Sequence, residues 1–185
     1  EGLIRKRHDA IVSTLHTSLQ SHNLNATLEV SPEESSSLER PDIVIRLQHH
    51  TFLVDIKSPY DTIKDFEAAN TRNINKYHYL TGEVQHNSRR PSTCHTFLVG
   101  ALGSWDPLNE ELLKSVGYSD KQIKQLATHL SITALKESHY IFKQHKYIPP
   151  LDDTTQSPNP EVPIITTKPY TNYPRRTFIA PFTDT

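Results

Sequence analysis

Read for apolar positions alone, the chain alternates between two periods. Residues 3 to about 21, "LIRKRHDAIVSTLHTSLQS", place Ile4, Ile11, Leu15 and Leu19 at near-helical spacing and predict an amphipathic helix. "ATLEV" (26–30) alternates and predicts a short strand, followed by a polar loop over 31–40. "DIVIRL" (42–47) and "TFLVDI" (51–56) predict two strands of a hairpin that turns near residues 48 to 50. Pro59 closes the second strand, and Asp61 is placed to cap a helix over roughly 62–86, with Ile63, Phe66, Ile74, Tyr77 and Leu80 along one side. "SRRPS" (88–92) breaks that helix. "HTFLVGAL" (95–102) is apolar nearly throughout and predicts a buried strand, "GSWDP" (103–107) a turn, and two helices follow over about 108–116 and 120–145. Trp105 is expected to pack and Asp106-Pro107 to start a helix. The order α-β-β-β-α-β-α-α predicts an α/β domain over 1–147, a mixed central sheet flanked by helices.

From residue 148 the pattern changes. Eight of the thirteen prolines lie in 148–185, without amphipathic period, which predicts a Pro-rich extended tail or linker. Its "YTNYPRR" (170–176) mixes aromatic and basic residues, a composition that suits an arm packing on a neighbour and also one that grips single-stranded nucleic acid.

Composition narrows the classes. The chain has 185 residues, 35% hydrophobic, and a formal net charge of −1, so no global basic field advertises nucleic acid; a basic face can still hide in a neutral total. One cysteine, Cys94, excludes an intrachain disulfide framework and a cysteine-based zinc site, and fits a reducing compartment. No apolar run approaches the roughly 18 to 20 residues that span a membrane, and the first residues do not read as a signal peptide. The start at Glu1 and the absence of Met predict a piece of a longer protein.

The chemistry concentrates in "RPDIVIRLQHHTFLVDIKSPYD" (40–61). In a hairpin turning near 48 to 49, Asp42 lies opposite the segment carrying Asp55 and Lys57, and these last two share one face of their strand. Two readings of these residues stand open. Asp42 ends a strand while Asp55 and Lys57 form an exposed edge salt pair; or two carboxylates and an ammonium form a patch for a divalent cation, the parts of metal-assisted phosphodiester hydrolysis. His49 and His50 are adjacent in a turn with no cysteine near, which argues against a zinc site.

These residues resemble the PD-(D/E)xK, restriction-enzyme-like nuclease superfamily. With "KRHD" (6–9), "NKYHYL" (75–80), "HTFLVGALGSWDPLNEELLKSVGY" (95–118) and "ALKESHYIFKQH" (134–145) in order, the chain is similar, over 3 to about 147, to the C-terminal endonuclease domain of site-specific non-LTR retrotransposons. The resemblance implies a restriction-endonuclease-like core and a nuclear enzyme that nicks double-stranded target DNA. The freed 3′-hydroxyl then primes reverse transcription of element RNA by a polymerase domain upstream in the same polypeptide. It implies Mg²⁺ or Mn²⁺ on Asp42 and Asp55, and no zinc within this chain. It assigns a catalytic lysine to Lys57, the first choice because it shares Asp55's face, or to Lys76, with Tyr77 backing the site. Arg7, His8 and Arg72 are candidate DNA contacts, Asp9 stands where the family tends to have Asn, and Glu29 is a candidate third carboxylate against a plain exposed strand residue. Two other classes remain: a non-catalytic module of this fold that positions nucleic acid, and a stand-alone nuclease of the Holliday-junction-resolvase kind.

Overall fold

The computed structural model describes residues 2–28 and 38–146. Four helices and four strands follow in the order α1 (Gly2–Ser21), β1 (Asn25–Leu28), β2 (Ile43–Arg46), β3 (Thr51–Lys57), α2 (Ile63–Ser88), β4 (Ser92–Leu98), α3 (Leu108–Ser115) and α4 (Asp120–Lys146). The sheet order is β1-β2-β3-β4, antiparallel across β1-β2 and β2-β3 and parallel across β3-β4. A parallel neighbour requires a crossover, and α2 supplies it. The protein is therefore a mixed α/β domain built on a mixed four-stranded sheet. Among the described residues no helix is long and apolar enough to cross a membrane. The Pro-rich segment 148–185 and Glu29 lie outside the described residues.

Strand alternation divides the core in two. Ile43, Ile45, Val54, Ile56 and Phe97 belong to the larger cluster, with Ile11, Leu15 and Leu19 of α1 and Leu130 of α4. Val44 and Leu53 face the other way and pack with Tyr77, Leu80 and Val84 of α2. β3 is buried on both faces, as a central strand between β2 and β4 must be. Residue 55 has the parity of Leu53, so a carboxylate there points towards α2.

The buried face of α2 runs Ala69, Asn73, Tyr77, Leu80, Val84. Ile63 and Ile74, expected on that face, are half exposed, and so is Ile4 on α1. Ile63 and Ile74 sit one step off the stripe that recurs every three to four residues, whereas Ile4 is on the α1 stripe but lies in its first turn, ahead of the buried residues that begin at Ile11. β4 starts at Ser92, earlier than the apolar run, because Ser92, Thr93 and Cys94 pair with Thr51, Phe52 and Leu53. It stops at Leu98; Val99 bridges Trp105, and Gly100 and Gly103 (φ +90°) turn the chain. Trp105 packs edge-on to Phe97 at 5.5 Å, and Asp106 Oδ1 accepts from the Leu108 N–H at 2.8 Å, where α3 begins.

Asp61 does not cap α2. Thr62 does, accepting from the Asp65 N–H at 3.1 Å, while Asp61 spans the turn after β4. Its Oδ2 accepts from the Leu102 N–H at 2.7 Å and its Oδ1 from the Ser104 N–H at 2.8 Å. A carboxylate finds two free N–H donors there, whereas Thr62 already serves the helix end. Gly100 is what lets the carboxylate in, because a Cβ at that position would overlap it.

This arrangement predicts a coupling. Gly100→Ala destabilises by about 1–3 kcal/mol with Asp61 present, the usual cost of overpacking, and by much less in an Asp61→Ala background. A double-mutant cycle on urea midpoints measures it; additive costs would contradict the contact.

Candidate active site

β3 and α2 converge on one carboxylate. Asp55 is 2% exposed in the middle of the sheet, where an ion without partners would cost several kcal/mol. Tyr77 donates to Asp55 Oδ1 at 2.8 Å, the Lys57 ammonium pairs with Oδ2, and Lys76 Nζ stands 3.9 Å from Oδ1. The spacing explains each contact. Lys57 lies two residues on from Asp55 and shares its face, and Tyr77 falls on the buried stripe of α2. The next-door Lys76 is exposed, and its chain bends back over the Tyr77 ring at 4.3 Å.

The Tyr77 hydroxyl is a junction. It accepts from Lys76 Nζ at 2.7 Å, and its one proton is shared between Asp55 Oδ1 and the Arg40 carbonyl, 2.9 Å away. Burial, then the charge of Asp55, pushes its pKa far up. Tyr77 is therefore a neutral donor at any working pH and not a base. Burial and Asp55 likewise push Cys94 on β4 up to about 12, which leaves it a thiol and no nucleophile.

Asp42 stands just ahead of β2, at the position the β2-β3 register places opposite Asp55. Its Oδ2 accepts from the Ile56 N–H at 2.6 Å and contacts His8 Nε2 at 3.2 Å. Burial opposes the charged form, but the bonds from His8 and Ile56, with the charges of His8 and Lys57, outweigh it and hold the Asp42 carboxyl below its usual range. His8 Nδ1 contacts Asp9 Oδ1 at 3.2 Å, so both ring nitrogens face carboxylates and both serve as donors in the imidazolium. Its bond to Asp42, against burial, raises His8 to about 8.

The candidate residues thus sort into groups. Asp55, Lys57, Lys76 and Tyr77 share one network, and Asp42 and His8 form a second that feels the charge of Lys57. Arg7 is turned inward: Nη1 donates to Ser138 Oγ at 2.9 Å and Nη2 to the Ser58 carbonyl at 3.2 Å, which ties α1 to α4 and to the end of β3. Arg72 is exposed on α2 one turn before Lys76 and makes no ion pair among the described residues. His49 is exposed in the turn, and His50 bonds Thr93 Oγ1 at 3.0 Å. Sequence patterning missed Asn73, which is 2% exposed and donates to Thr96 Oγ1 at 2.9 Å behind the site. Its position four residues before Tyr77 was the available signal.

Among the described residues no group of three or more His, Cys, Asp or Glu is placed to hold a metal ion. Two carboxylates on neighbouring strands nevertheless suit a hard cation that keeps several of its waters, as Mg²⁺ and Mn²⁺ do. Both contacts that fix Asp42 use the same oxygen, Oδ2.

The His8–Asp42 pair has a measurable consequence. A folded pKa raised above the unfolded value contributes stability that is fully present below about 6.5 and is lost as pH rises through about 8. Without added metal, the His8 ring should titrate near 8 by NMR and move back towards about 6.5 in Asp42→Asn; an unshifted midpoint in that variant would contradict the pairing.

No protein-family model matches the chain and no curated protein matches it.

Proposed function

We propose that the β2-β3-α2 site is the active centre of a metal-dependent DNA endonuclease with a restriction-enzyme-like core. The observation that carries the reading is the convergence of Lys57, Lys76 and Tyr77 on buried Asp55, with Asp42 fixed at the opposing register position. A salt pair on a sheet edge needs none of this, and β3 is not an edge strand. Phosphodiester hydrolysis can use these parts: carboxylates for a cation, and ammonium groups beside them for a phosphate that gains negative charge as it is attacked.

Asp42 and Asp55 would hold Mg²⁺ or Mn²⁺, which supplies charge neutralisation at the phosphate and lowers the pKa of a bound water. Lys57, 39% exposed at its side chain and seated on Asp55 Oδ2, orients the attacking water and faces the phosphate oxygens. Tyr77 keeps Asp55 in place and sets Lys76 beside it, so the two lysines approach one carboxylate through different oxygens. The water oxygen bonds to phosphorus as the P–O3′ bond breaks. The products are a 5′-phosphate and a 3′-hydroxyl.

That 3′-hydroxyl is the end a polymerase extends. The resemblance to non-LTR retrotransposon endonuclease domains gives it a use: priming reverse transcription of element RNA at a nick in nuclear DNA, by a polymerase domain of the same polypeptide. Asp42 and Asp55 are both present, which favours an enzyme over a module that only positions nucleic acid.

A nicking assay on labelled duplex with Mg²⁺ or Mn²⁺ tests the reading. Asp42→Asn and Asp55→Asn each abolish nicking while duplex binding stays within a few-fold; full metal-dependent cleavage by either variant would sink the proposal. Linear duplex is cut at least as well as four-way junctions, and a strong preference for junctions would point to a resolvase instead. Among the lysines, Lys57→Ala costs about 10²–10³-fold in single-turnover rate, the range for losing one electrostatic donor. Lys76→Ala costs less, because its contact with Asp55 is longer and shared with Tyr77; equal losses would place both ammonium groups on the reacting phosphate.

A further inference from the structure

The last three turns of α4 form a surface that the site does not use. Ile123, Leu126, Leu130 and Ala134 bury one side of this helix in the core. On the outer side, Lys136, His139, Lys143 and Lys146 recur at three- and four-residue spacing and are all exposed. Among the described residues Lys136 and Lys143 make no ion pair or hydrogen bond. Acidic residues nearby are already answered: Glu137 pairs with Lys6 and Asp9 with Arg5, each at 3.9 Å. In a chain of net charge −1, this is a local concentration of unneutralised positive charge.

α1 connects this face to the candidate active site. Its second turn reaches Asp42 through His8 and reaches α4 through Lys6, whose ammonium stands 4.6 Å over the Tyr140 ring. Between them Arg7 bonds both Ser138 of α4 and the Ser58 carbonyl next to Lys57. α4 and Asp42 are thus tied to one stretch of helix.

We propose that this outer face of α4 binds the phosphate backbone of duplex DNA flanking the bond that is cut. The inference rests on the endonuclease reading and adds to it the surface that holds the substrate. Charge complementarity decides the occupant. From residue 136 to 146 the helix rises about 15 Å, over which one strand of B-DNA presents about four phosphates. The aromatic residues favour backbone contact over base stacking: Tyr140 lies under Lys6, and Phe142 lies under Lys146 at 4.7 Å, so each ring has an ammonium over one face. Lysines without a planar fork and without a groove-reading partner give sequence-independent binding.

Anisotropy of a labelled random-sequence duplex, with the full chain in EDTA, reads binding without cleavage. Lys136→Gln/Lys143→Gln/Lys146→Gln should weaken binding about 10²-fold at 0.1 M salt and reduce the slope of log K against log salt by about 2 to 3. The same charge change at Lys64, Lys114 and Lys121 should leave both nearly as in the wild type. Unchanged affinity and slope in the α4 variant would overturn the proposal, as would tighter binding of RNA hairpins or anionic vesicles lost in that variant. Failure of the endonuclease reading looks different: no nicking under any metal, with α4-dependent binding intact. At saturating duplex the α4 variant should nick at the wild-type rate, its defect confined to KM; a lowered rate at saturation would also overturn the assignment.

Discussion

A carboxylate buried in the central strand is the constraint around which this domain is organised. Removing Asp55 from water costs several kcal/mol unless a cation and hydrogen-bond donors take water's place. Three side chains do so, and each demands something of the fold. Lys57 requires β3 to stay extended two residues beyond Asp55. Tyr77 requires α2 to cross the sheet face with one particular stripe inward, and that stripe also carries Leu80 and Val84 against Val44 and Leu53. Lys76 then has no choice but to lie at the rim. The polar network and the smaller apolar cluster are the same contact seen through different atoms.

The opposite face of the sheet supports this arrangement at its end. α1 packs on Ile43, Ile45, Val54 and Ile56 through Ile11, Leu15 and Leu19, which brings its second turn to the end of β3. There His8 and the Ile56 amide fix one oxygen of Asp42, and Arg7 fixes the Ser58 carbonyl. Asp61 holds the turn after β4 to the segment leaving β3. Asp42 is therefore placed by bonds from His8 and the Ile56 amide at the sheet's end, while Asp55 is placed by the packing of β3 and α2 together with its bonds to Tyr77 and Lys57. A site held in both ways is pre-organised, the condition under which fixed charges act most strongly on a developing charge.

Much of this was legible in residue order. Apolar periodicity located all eight elements, and alternation in "TFLVDIK" put Asp55 and Lys57 on one face. What stayed hidden depended on tertiary contact. Asp61 has a helix-capping position in sequence, and only the approach of the 102–104 amides, made possible by Gly100, draws its carboxylate away. Asn73 reads as one more polar residue on an amphipathic helix until Thr96 is placed beneath it. Spacing put Lys57 first because it shares Asp55's face, but it could not show that Lys76 reaches the other oxygen of the same carboxylate from α2. Ile63 and Ile74 misled because helical spacing to a neighbour does not say where the centre of the buried stripe lies.

Asp42 and Asp55 matter together or not at all: if they form one cation site, each is useless to it without the other. Mn²⁺ titration of the full chain, followed by the loss of the free-ion EPR signal, tests this directly. The account predicts Mn²⁺ binding that Mg²⁺ displaces and that Asp42→Asn and Asp55→Asn each remove, in variants whose circular dichroism shows them folded. Undiminished Mn²⁺ binding in either folded variant would contradict it.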